Sequence, residues 1–208
     1  MREVTVKHEN PRQLEAIQGW AKTLGGAMIL TGPAGTGKTH IAWSLALADM
    51  LGSQERQLYV SRPQVPCDGE QMGFLPGDLS KKFLPWLEAF GDVNRRCTHV
   101  KFLEVMKNVK LLPIGMVRGR TVERGTLIVD EAQNLSMPML KAILTRVSDT
   151  GRVVLVGDPA QSDRFPANDC PLSHVADKIA HFHDVCRVQF QPEDQQRSDF
   201  VRRVLEVL

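Results

Sequence analysis

The chain has 208 residues, of which 42% are hydrophobic and 24% are charged. This is ordinary globular composition, and it excludes a largely disordered chain, a collagen-like fibre and a coiled coil. The formal net charge is only +2, from 26 basic and 24 acidic side chains. A charge this small neither indicates nor excludes a nucleic-acid partner.

Helical and strand patterns alternate along the chain. Asn10 followed by Pro11 predicts the start of a first helix, because asparagine is a good N-cap and proline fits the first helical position. Further helices are predicted over Lys38–Leu51, over Met137–Val147 with Ser136 as N-cap, and over Gln195–Leu208. The predicted strands are Ala27–Thr31, Gln57–Ser61, Leu127–Val129 and Val153–Val156. This alternation, with its continuous apolar strands, predicts an α/β fold in which helices flank a mostly parallel central sheet.

The stretch from Pro63 to Leu111 differs from the rest of the chain. It contains four prolines and shows only weak periodicity. We interpret it as an insertion or long loop, with one or two helices, between core strands of a single domain over residues 1–208. Long loops in compact domains are often functional.

The cysteines and the N-terminal residues indicate the cellular compartment in which the protein is expected. The four cysteines are scattered without a C-x-x-C pair, which favours reduced thiols over a disulfide scaffold. The first ten residues are polar and carry no apolar secretory core. The longest apolar stretch, Ile41–Leu51, is too short to span a bilayer. We therefore expect a cytoplasmic protein without a membrane segment.

The strongest functional signal lies between the first predicted strand and the helix that follows it. Residues 32–39, GPAGTGKT, fit the phosphate-binding pattern G-x-x-x-x-G-K-[ST]. Glycines let backbone N–H groups approach phosphate oxygens, and a helix N-terminus favours an anion. We expect Lys38 to bind the β- and γ-phosphates and Thr39 to ligate Mg²⁺. A glycine-rich turn with an accidental lysine is the alternative, and the strand–loop–helix context disfavours it. The residues predicted to bind the nucleotide are Gly32, Pro33, Ala34, Gly35, Thr36, Gly37, Lys38, Thr39 and His40.

Two acidic residues follow a later apolar strand, in the segment Leu127–Gln133. Carboxylates at the carboxyl edge of a parallel sheet stand where ligands bind in open α/β folds. We expect Asp130 to hold Mg²⁺ and Glu131 to orient and deprotonate the attacking water. A solvated acidic turn is the competing interpretation, and the upstream phosphate loop makes it the weaker one.

The last predicted strand is followed by Gly157-Asp158-Pro159-Ala160-Gln161. A glutamine at such a strand end could sense the γ-phosphate or position water, so Gln161 is a candidate catalytic residue. Gly-Asp-Pro is also good turn chemistry, and a simple turn is the alternative.

Gln13 stands three residues after Asn10, at the start of the first predicted helix. Its amide offers a donor and an acceptor, which can match the N6 and N7 edge of adenine. An exposed helix glutamine without a ligand is the alternative, and from spacing alone it is favoured.

Five arginines are candidates for contact with phosphate: Arg62, Arg118, Arg120, Arg146 and Arg197. An arginine finger stabilises charge on the γ-phosphoryl oxygens and can come from a neighbouring subunit. Most surface arginines have no such function, and the sequence does not select among the five. Arg146 and Arg197 are retained as candidate catalytic residues.

These segments together resemble the PhoH-like ATPases of bacteria and phages, which are single RecA-type domains related to the first motor domain of superfamily 1 helicases. The match includes Ser61-Arg62-Pro63, Gly69-Glu70, the segment from Gly73 to Leu79, and Arg118-Gly119-Arg120-Thr121. It covers the chain from about Asn10 to Leu208. Ser61 stands where the family usually has threonine, and Trp86 where tyrosine is common.

The resemblance implies a RecA-like P-loop NTPase that hydrolyses ATP with Mg²⁺. It strengthens the assignment of Gln13 to adenine, because Asn10 and Gln13 fit the family's N-terminal glutamine motif. It also implies a homo-oligomer, a ring such as a hexamer, because a helicase motor closes ATP between two RecA domains and this chain has the length of one.

The leading hypothesis is an ATPase coupled to binding or unwinding of single-stranded RNA or DNA, motivated by the helicase-like motifs and by Arg118 and Arg120. The alternative is an ATP-gated protein-interaction module without translocation. A small-molecule kinase is a weaker third hypothesis, because the Asp-Glu-Ala-Gln segment favours water as the acceptor.

Overall fold

The computed structural model describes residues 4–53, 55–63 and 90–196. Its centre is one sheet of six strands: β1 (Gly26–Thr31), β2 (Gln57–Ser61), β3 (Val109–Leu111), β4 (Gly125–Val129), β5 (Arg152–Gly157) and β6 (Val185–Gln189). The strands lie in the order β3-β2-β4-β5-β1-β6, and every pair of neighbours is parallel. The carboxyl ends of all six strands therefore meet at one edge of the sheet.

Five helices are α1 (Pro11–Lys22), α2 (Lys38–Gly52), α3 (Phe102–Met106), α4 (Met137–Leu144) and α5 (Pro171–Ile179), and residues 90–97 are also helical. Alternate strand residues supply two apolar cores, one on each face. Met28 and Leu30 of β1 pack with α1 and α2 on one face, while Ala27 and Ile29 pack with α4 and α5 on the other. The α/β fold with a parallel sheet between two helical layers is confirmed.

The predicted strands and the first two helices are found within a few residues of their expected limits. Asn10 caps α1, because its Oδ1 accepts a 2.9 Å hydrogen bond from the Gln13 N–H. Ser136 does occupy the N-cap position of α4, but its side chain makes no capping hydrogen bond. The helix expected to reach Val147 ends at Leu144, because Val147 instead forms a parallel bridge with Val122.

Three elements were not predicted from the sequence. β3 and β6 are the outer strands of the sheet, and they lack the continuous apolar runs that mark the central strands. β3 lies within the stretch interpreted as an insertion, so the end of that stretch belongs to the sheet. α5 was also missed. The predicted C-terminal helix lies outside the described residues except for Gln195 and Gln196, which are not helical.

The strand order brings three loops together. β5 lies between β1 and β4, so the loop after β5 emerges between the loop after β1 and the loop after β4. These loops carry, in turn, Gln161, the phosphate-loop pattern and the Asp130–Glu131 pair. Among the helices of the described residues, none combines the length and the apolar character needed to cross a bilayer.

Candidate nucleotide-binding site

The loop between β1 and α2 is held in a glycine-dependent conformation. Gly32, Gly35 and Gly37 have φ angles of +129°, +82° and +83°, a region that residues with a Cβ seldom adopt. Lys38 Nζ donates 2.7 Å hydrogen bonds to the carbonyl oxygens of both Gly32 and Pro33. The buried Thr36 hydroxyl donates to the same Pro33 oxygen at 2.9 Å. The loop is thus curled around its own lysine at the N-terminus of α2, an arrangement suited to an anion.

Gln13 of α1 packs against this loop and hydrogen-bonds to it. Its side chain is 1% exposed, and its Nε2 donates to the Thr36 carbonyl oxygen at 3.1 Å while its Oε1 accepts from the Glu9 N–H at 2.8 Å. A Cβ on Gly37 would lie 2.3 Å from Gln13 Nε2, so glycine is needed there for packing as well as for φ. The structure therefore places Gln13 against the loop, with both ends of its amide hydrogen-bonded to backbone.

Asp130 and Thr39 face each other at the carboxyl edge of the sheet. Thr39 Oγ1 lies 3.4 Å from Asp130 Oδ1, and the Asp130 N–H donates to the Ser61 carbonyl oxygen at 3.0 Å. A hydroxyl and a carboxylate so placed suit Mg²⁺, a hard cation that takes few protein oxygens and keeps water and phosphate as its other ligands. Within the described residues there is no group of three or more His, Cys, Asp or Glu side chains that could hold a metal ion.

Glu131 is held on both of its carboxylate oxygens. Its φ of +52° is left-handed, which is costly for a residue with a Cβ and is often found at functional sites. Arg62 Nη2 lies 3.4 Å from Oε1, and Gln133 Nε2 donates to Oε2 at 2.6 Å. The side chains of Arg62 and Glu131 are 40% and 38% exposed, so this ion pair is open to solvent.

Gln133 joins the Glu131 loop to the loop after β5. Its buried Oε1 accepts from the Asp158 N–H at 3.2 Å, while its Nε2 contacts Glu131. A Cβ on Gly157 would lie 2.6 Å from that Oε1, so glycine permits this close approach. Gln133 was quoted in the sequence motif but given no function of its own, because its importance depends on a contact across the sheet.

A cavity of about 300 Å³ lies where these loops converge. Its lining includes nine of the residues predicted to act there: Ala34, Gly35, Gly37, Lys38, Thr39, His40, Asp130, Glu131 and Gln161. Gly32, Pro33 and Thr36 do not line the cavity. They shape the loop instead, because the Gly32 and Pro33 carbonyl oxygens accept hydrogen bonds from Lys38 and the Pro33 oxygen also accepts one from Thr36. The structure thus brings together the residues of three separate motifs.

Burial and nearby charges shift the pKa values of two residues that line this cavity. Burial raises the pKa of Asp158 by disfavouring its charged form, and the charge of Glu131 adds to the rise. The Ala160 N–H and the Lys38 ammonium oppose that rise. Burial also lowers the pKa of His40, with Arg96 adding to the effect and Glu9 opposing it. Among the described residues no group hydrogen-bonds His40 Nδ1.

The two arginines predicted to be catalytic are not part of this cavity in the described chain. Arg146 is exposed and follows α4, and its carbonyl oxygen accepts from the Val122 N–H at 2.7 Å near the start of β4 and β5. That is the amino edge of the sheet, opposite the phosphate loop, so Arg146 does not belong to the site of its own chain. Arg197 lies outside the described residues.

The parallel sheet, the glycine loop before α2 and the acidic residues after β4 define a P-loop NTPase domain of RecA-like architecture. A solved structure of the large terminase from a thermophilic bacteriophage superposes with a TM-score of 0.55 at 13% identity, covering 96% of this chain and 50% of that one. The same terminase in complex with ADP gives a TM-score of 0.53 at 14% identity, with 94% and 49% covered.

The chain belongs to the PhoH-like protein family, whose model matches residues 5–208. It is 34% identical to protein PhoH of Escherichia coli strain K12 over 183 residues, covering 84% of this chain and 51% of that protein. It is 33% identical to the PhoH-like protein of Synechocystis sp. over 178 residues, covering 84% and 54%. The chain therefore spans about half the length of the curated relatives it matches.

Proposed function

We propose that this chain binds ATP with Mg²⁺ and hydrolyses it to ADP and phosphate. The observation that carries the proposal is the convergence of Lys38, Thr39, Asp130, Glu131 and Gln161 on one cavity at the carboxyl edge of a parallel sheet. The bacteriophage terminase of similar fold binds ADP, which supports an adenine nucleotide as the ligand. Gln13 is the proposed contact on the adenine side, which requires its amide to exchange its hydrogen bonds with the Thr36 carbonyl oxygen and the Glu9 N–H for bonds with the base.

Each residue of the cavity has a proposed part in hydrolysis. Lys38, now bound to the Gly32 and Pro33 carbonyl oxygens, exchanges these for the β- and γ-phosphates when a nucleotide enters. Thr39 and Asp130 would hold Mg²⁺, which would supply positive charge beside the phosphate oxygens. Glu131 orients the attacking water and accepts its proton. Gln161 senses the γ-phosphate from the loop after β5.

We further propose that hydrolysis is coupled to single-stranded RNA or DNA. Arg118 and Arg120 support this, because both side chains are exposed around the end of the short helix Ile114–Gly119 and neither has an ion-pair partner among the described residues. Exposed arginines suit the phosphates of a nucleic-acid strand.

One observation favours a protein partner instead. A cavity of about 580 Å³ at the amino edge of the sheet is partly apolar, and its lining includes two exposed large apolar side chains, Leu24 and Phe182. Exposed apolar groups around such a groove are typical of protein interaction sites. An ATP-gated interaction module is therefore the second candidate function.

Steady-state ATP hydrolysis with and without single-stranded RNA and DNA tests these proposals. We expect one polymer to stimulate hydrolysis, with an apparent affinity that falls steeply with salt. Glu131→Gln keeps the size of the side chain but cannot accept a proton, so it should reduce kcat by roughly 10²- to 10⁴-fold while ATP remains bound. Equal hydrolysis with and without either polymer would favour the protein-partner candidate. Hydrolysis unaffected by Glu131→Gln would contradict the assigned general base.

A further inference from the structure

Arg62 and Glu131 are brought together by the pairing of β2 with β4. Ser61, the last residue of β2, lies in register with Val129, the last residue of β4. The segments that follow β2 and β4 therefore leave the sheet next to each other, and the Asp130 N–H donates a 3.0 Å hydrogen bond to the Ser61 carbonyl oxygen. The Arg62–Glu131 ion pair is thus a product of strand register.

The two contacts to the Glu131 carboxylate differ in character. Gln133 is 1% exposed, and its Oε1 accepts a hydrogen bond from the Asp158 N–H. The hydrogen bond from its Nε2 to Glu131 Oε2 is therefore part of the packed interior. Arg62 holds Oε1 at 3.4 Å across a pair that is exposed by 40% and 38%. Solvent-exposed ion pairs are weak, so a competing anion can exchange with one partner. Oε1 is therefore the oxygen that can be released.

Arg62 also differs from the other candidate arginines. Of the four that lie in the described residues, it alone has an ion pair with a residue of the cavity, while Arg118, Arg120 and Arg146 are exposed without one. A guanidinium binds a phosphate oxygen pair in the same forked geometry as a carboxylate. A backbone phosphate of a nucleic-acid strand is therefore an anion with the right geometry to displace Glu131 from Arg62.

We propose that Arg62 is a positioning residue that restrains Glu131 until a nucleic-acid phosphate takes its place. In the free protein, Arg62 occupies Oε1 of the carboxylate that must accept a proton from water. A bound single strand presents a backbone phosphate to Arg62, the Arg62–Glu131 pair opens, and Oε1 becomes available to the water. No covalent bond changes in this exchange. The inference rests on the proposed function, since it gives the means by which strand binding raises hydrolysis.

Arg62→Gln tests the restraint, with Arg187→Gln as the matched control. Arg187 of β6 forms a similarly exposed ion pair with Asp177 of α5, away from the cavity. Both variants lose one charge and one surface ion pair, so melting temperatures should agree. We expect Arg62→Gln to raise ATP hydrolysis without nucleic acid by about three- to tenfold, because a general base that is no longer restrained recovers part of its effect. Stimulation by a single strand should fall towards onefold, and Arg187→Gln should behave as the wild type in both measurements.

Other results would overturn the proposal. Loss of hydrolysis in Arg62→Gln together with weaker binding of a fluorescent ATP analogue would show that Arg62 contacts the nucleotide instead. An unchanged basal rate with full stimulation would show that the ion pair is incidental. If the wild type is not stimulated by any single strand, the proposed coupling to nucleic acid fails, and the basal rate of Arg62→Gln still decides the restraint: a rise supports it and no rise overturns it.

Discussion

Gln133 shows how a single buried amide can tie two parts of a site together. Its Nε2 donates to Glu131 Oε2 at 2.6 Å and its Oε1 accepts from the Asp158 N–H at 3.2 Å. The residue that is to activate water and the loop that carries Gln161 therefore share one hydrogen-bonded connection. Because the side chain is 1% exposed, water cannot readily replace either bond.

We predict that Gln133→Leu reduces kcat by about tenfold while leaving the affinity for ATP within about twofold, because a general base acts through its position and phosphate binding depends on the other loop. Stability should fall by about 1–3 kcal/mol, since the Asp158 N–H is left buried without an acceptor. Steady-state kinetics and thermal melting check both effects.

Asn134→Leu is the matched control for Gln133. Asn134 is also a buried amide that joins the same two loops, through 2.9 Å bonds to the Asp163 side chain and N–H. Its side chain makes no hydrogen bond to Glu131 within the described residues, and the 3.1 Å bond from its backbone N–H to the Glu131 carbonyl oxygen is kept in the leucine variant. We expect Asn134→Leu to lower the free energy of unfolding by about as much as Gln133→Leu, but to reduce kcat much less. Equal losses of kcat in both variants would mean that the loops matter only as a folded unit.

The first turn of α1 connects three parts of the chain. Asn10 caps α1, and its Nδ2 lies 3.2 Å from the carbonyl oxygens of both Thr36 and Asp194. The Gln196 N–H donates to the Gly35 carbonyl oxygen at 2.9 Å, so the segment after β6 also contacts the phosphate loop. An N-cap here fixes both the helix and the loop that it faces.

We predict that Asn10→Ala destabilises the protein by about 1–2 kcal/mol, the usual cost of losing an N-cap side chain, and also weakens nucleotide binding because the Thr36 carbonyl loses a donor. Asn10→Asp is the control, since it keeps the cap acceptor but cannot donate to Thr36 or Asp194. It should recover part of the stability and none of the nucleotide affinity. Urea denaturation measures the effect on stability, and equilibrium binding of ATP measures the effect on nucleotide affinity. If Asn10→Asp recovered nucleotide affinity as well as stability, the hydrogen bond from Asn10 Nδ2 to the Thr36 carbonyl oxygen would not matter for binding.

At the scale of the whole molecule, Arg146 and the phosphate loop lie on opposite edges of the sheet. An arginine finger at this position can reach a nucleotide only from a neighbouring copy. In a head-to-tail ring, each site would combine the cavity of one chain with the amino edge of the next. This is the geometry that the homo-oligomeric ring implied by the family resemblance would require.

We predict that Arg146→Ala and Glu131→Gln are each inactive alone but complement each other when mixed. In a random one-to-one mixture, about a quarter of the interfaces join an intact Glu131 to an intact Arg146, so hydrolysis should approach a quarter of the wild-type rate. Light scattering on the same samples measures the oligomeric state. A mixture no more active than its components, or full activity in a monomer, would contradict a finger supplied by a neighbour.

The sequence by itself determined the local parts of this protein. The phosphate-loop pattern, the α1 cap at Asn10, the central strands and the acids after β4 could all be predicted, because each depends on residues that are contiguous or one helical turn apart. The family could be recognised from the same segments. Glycine spacing and continuous apolar runs have few structural solutions, so short-range physics is enough to identify them.

Only the tertiary structure decided which of these residues meet. The order of the strands puts β5 between β1 and β4, joins Gln133 to Asp158, pairs Arg62 with Glu131, and removes Arg146 from the site of its own chain. The left-handed φ of Glu131 and the outer strands β3 and β6 likewise depend on neighbours distant in sequence. Strand order and register are set by the packing of the whole sheet between its two apolar cores, which no single segment of the sequence specifies.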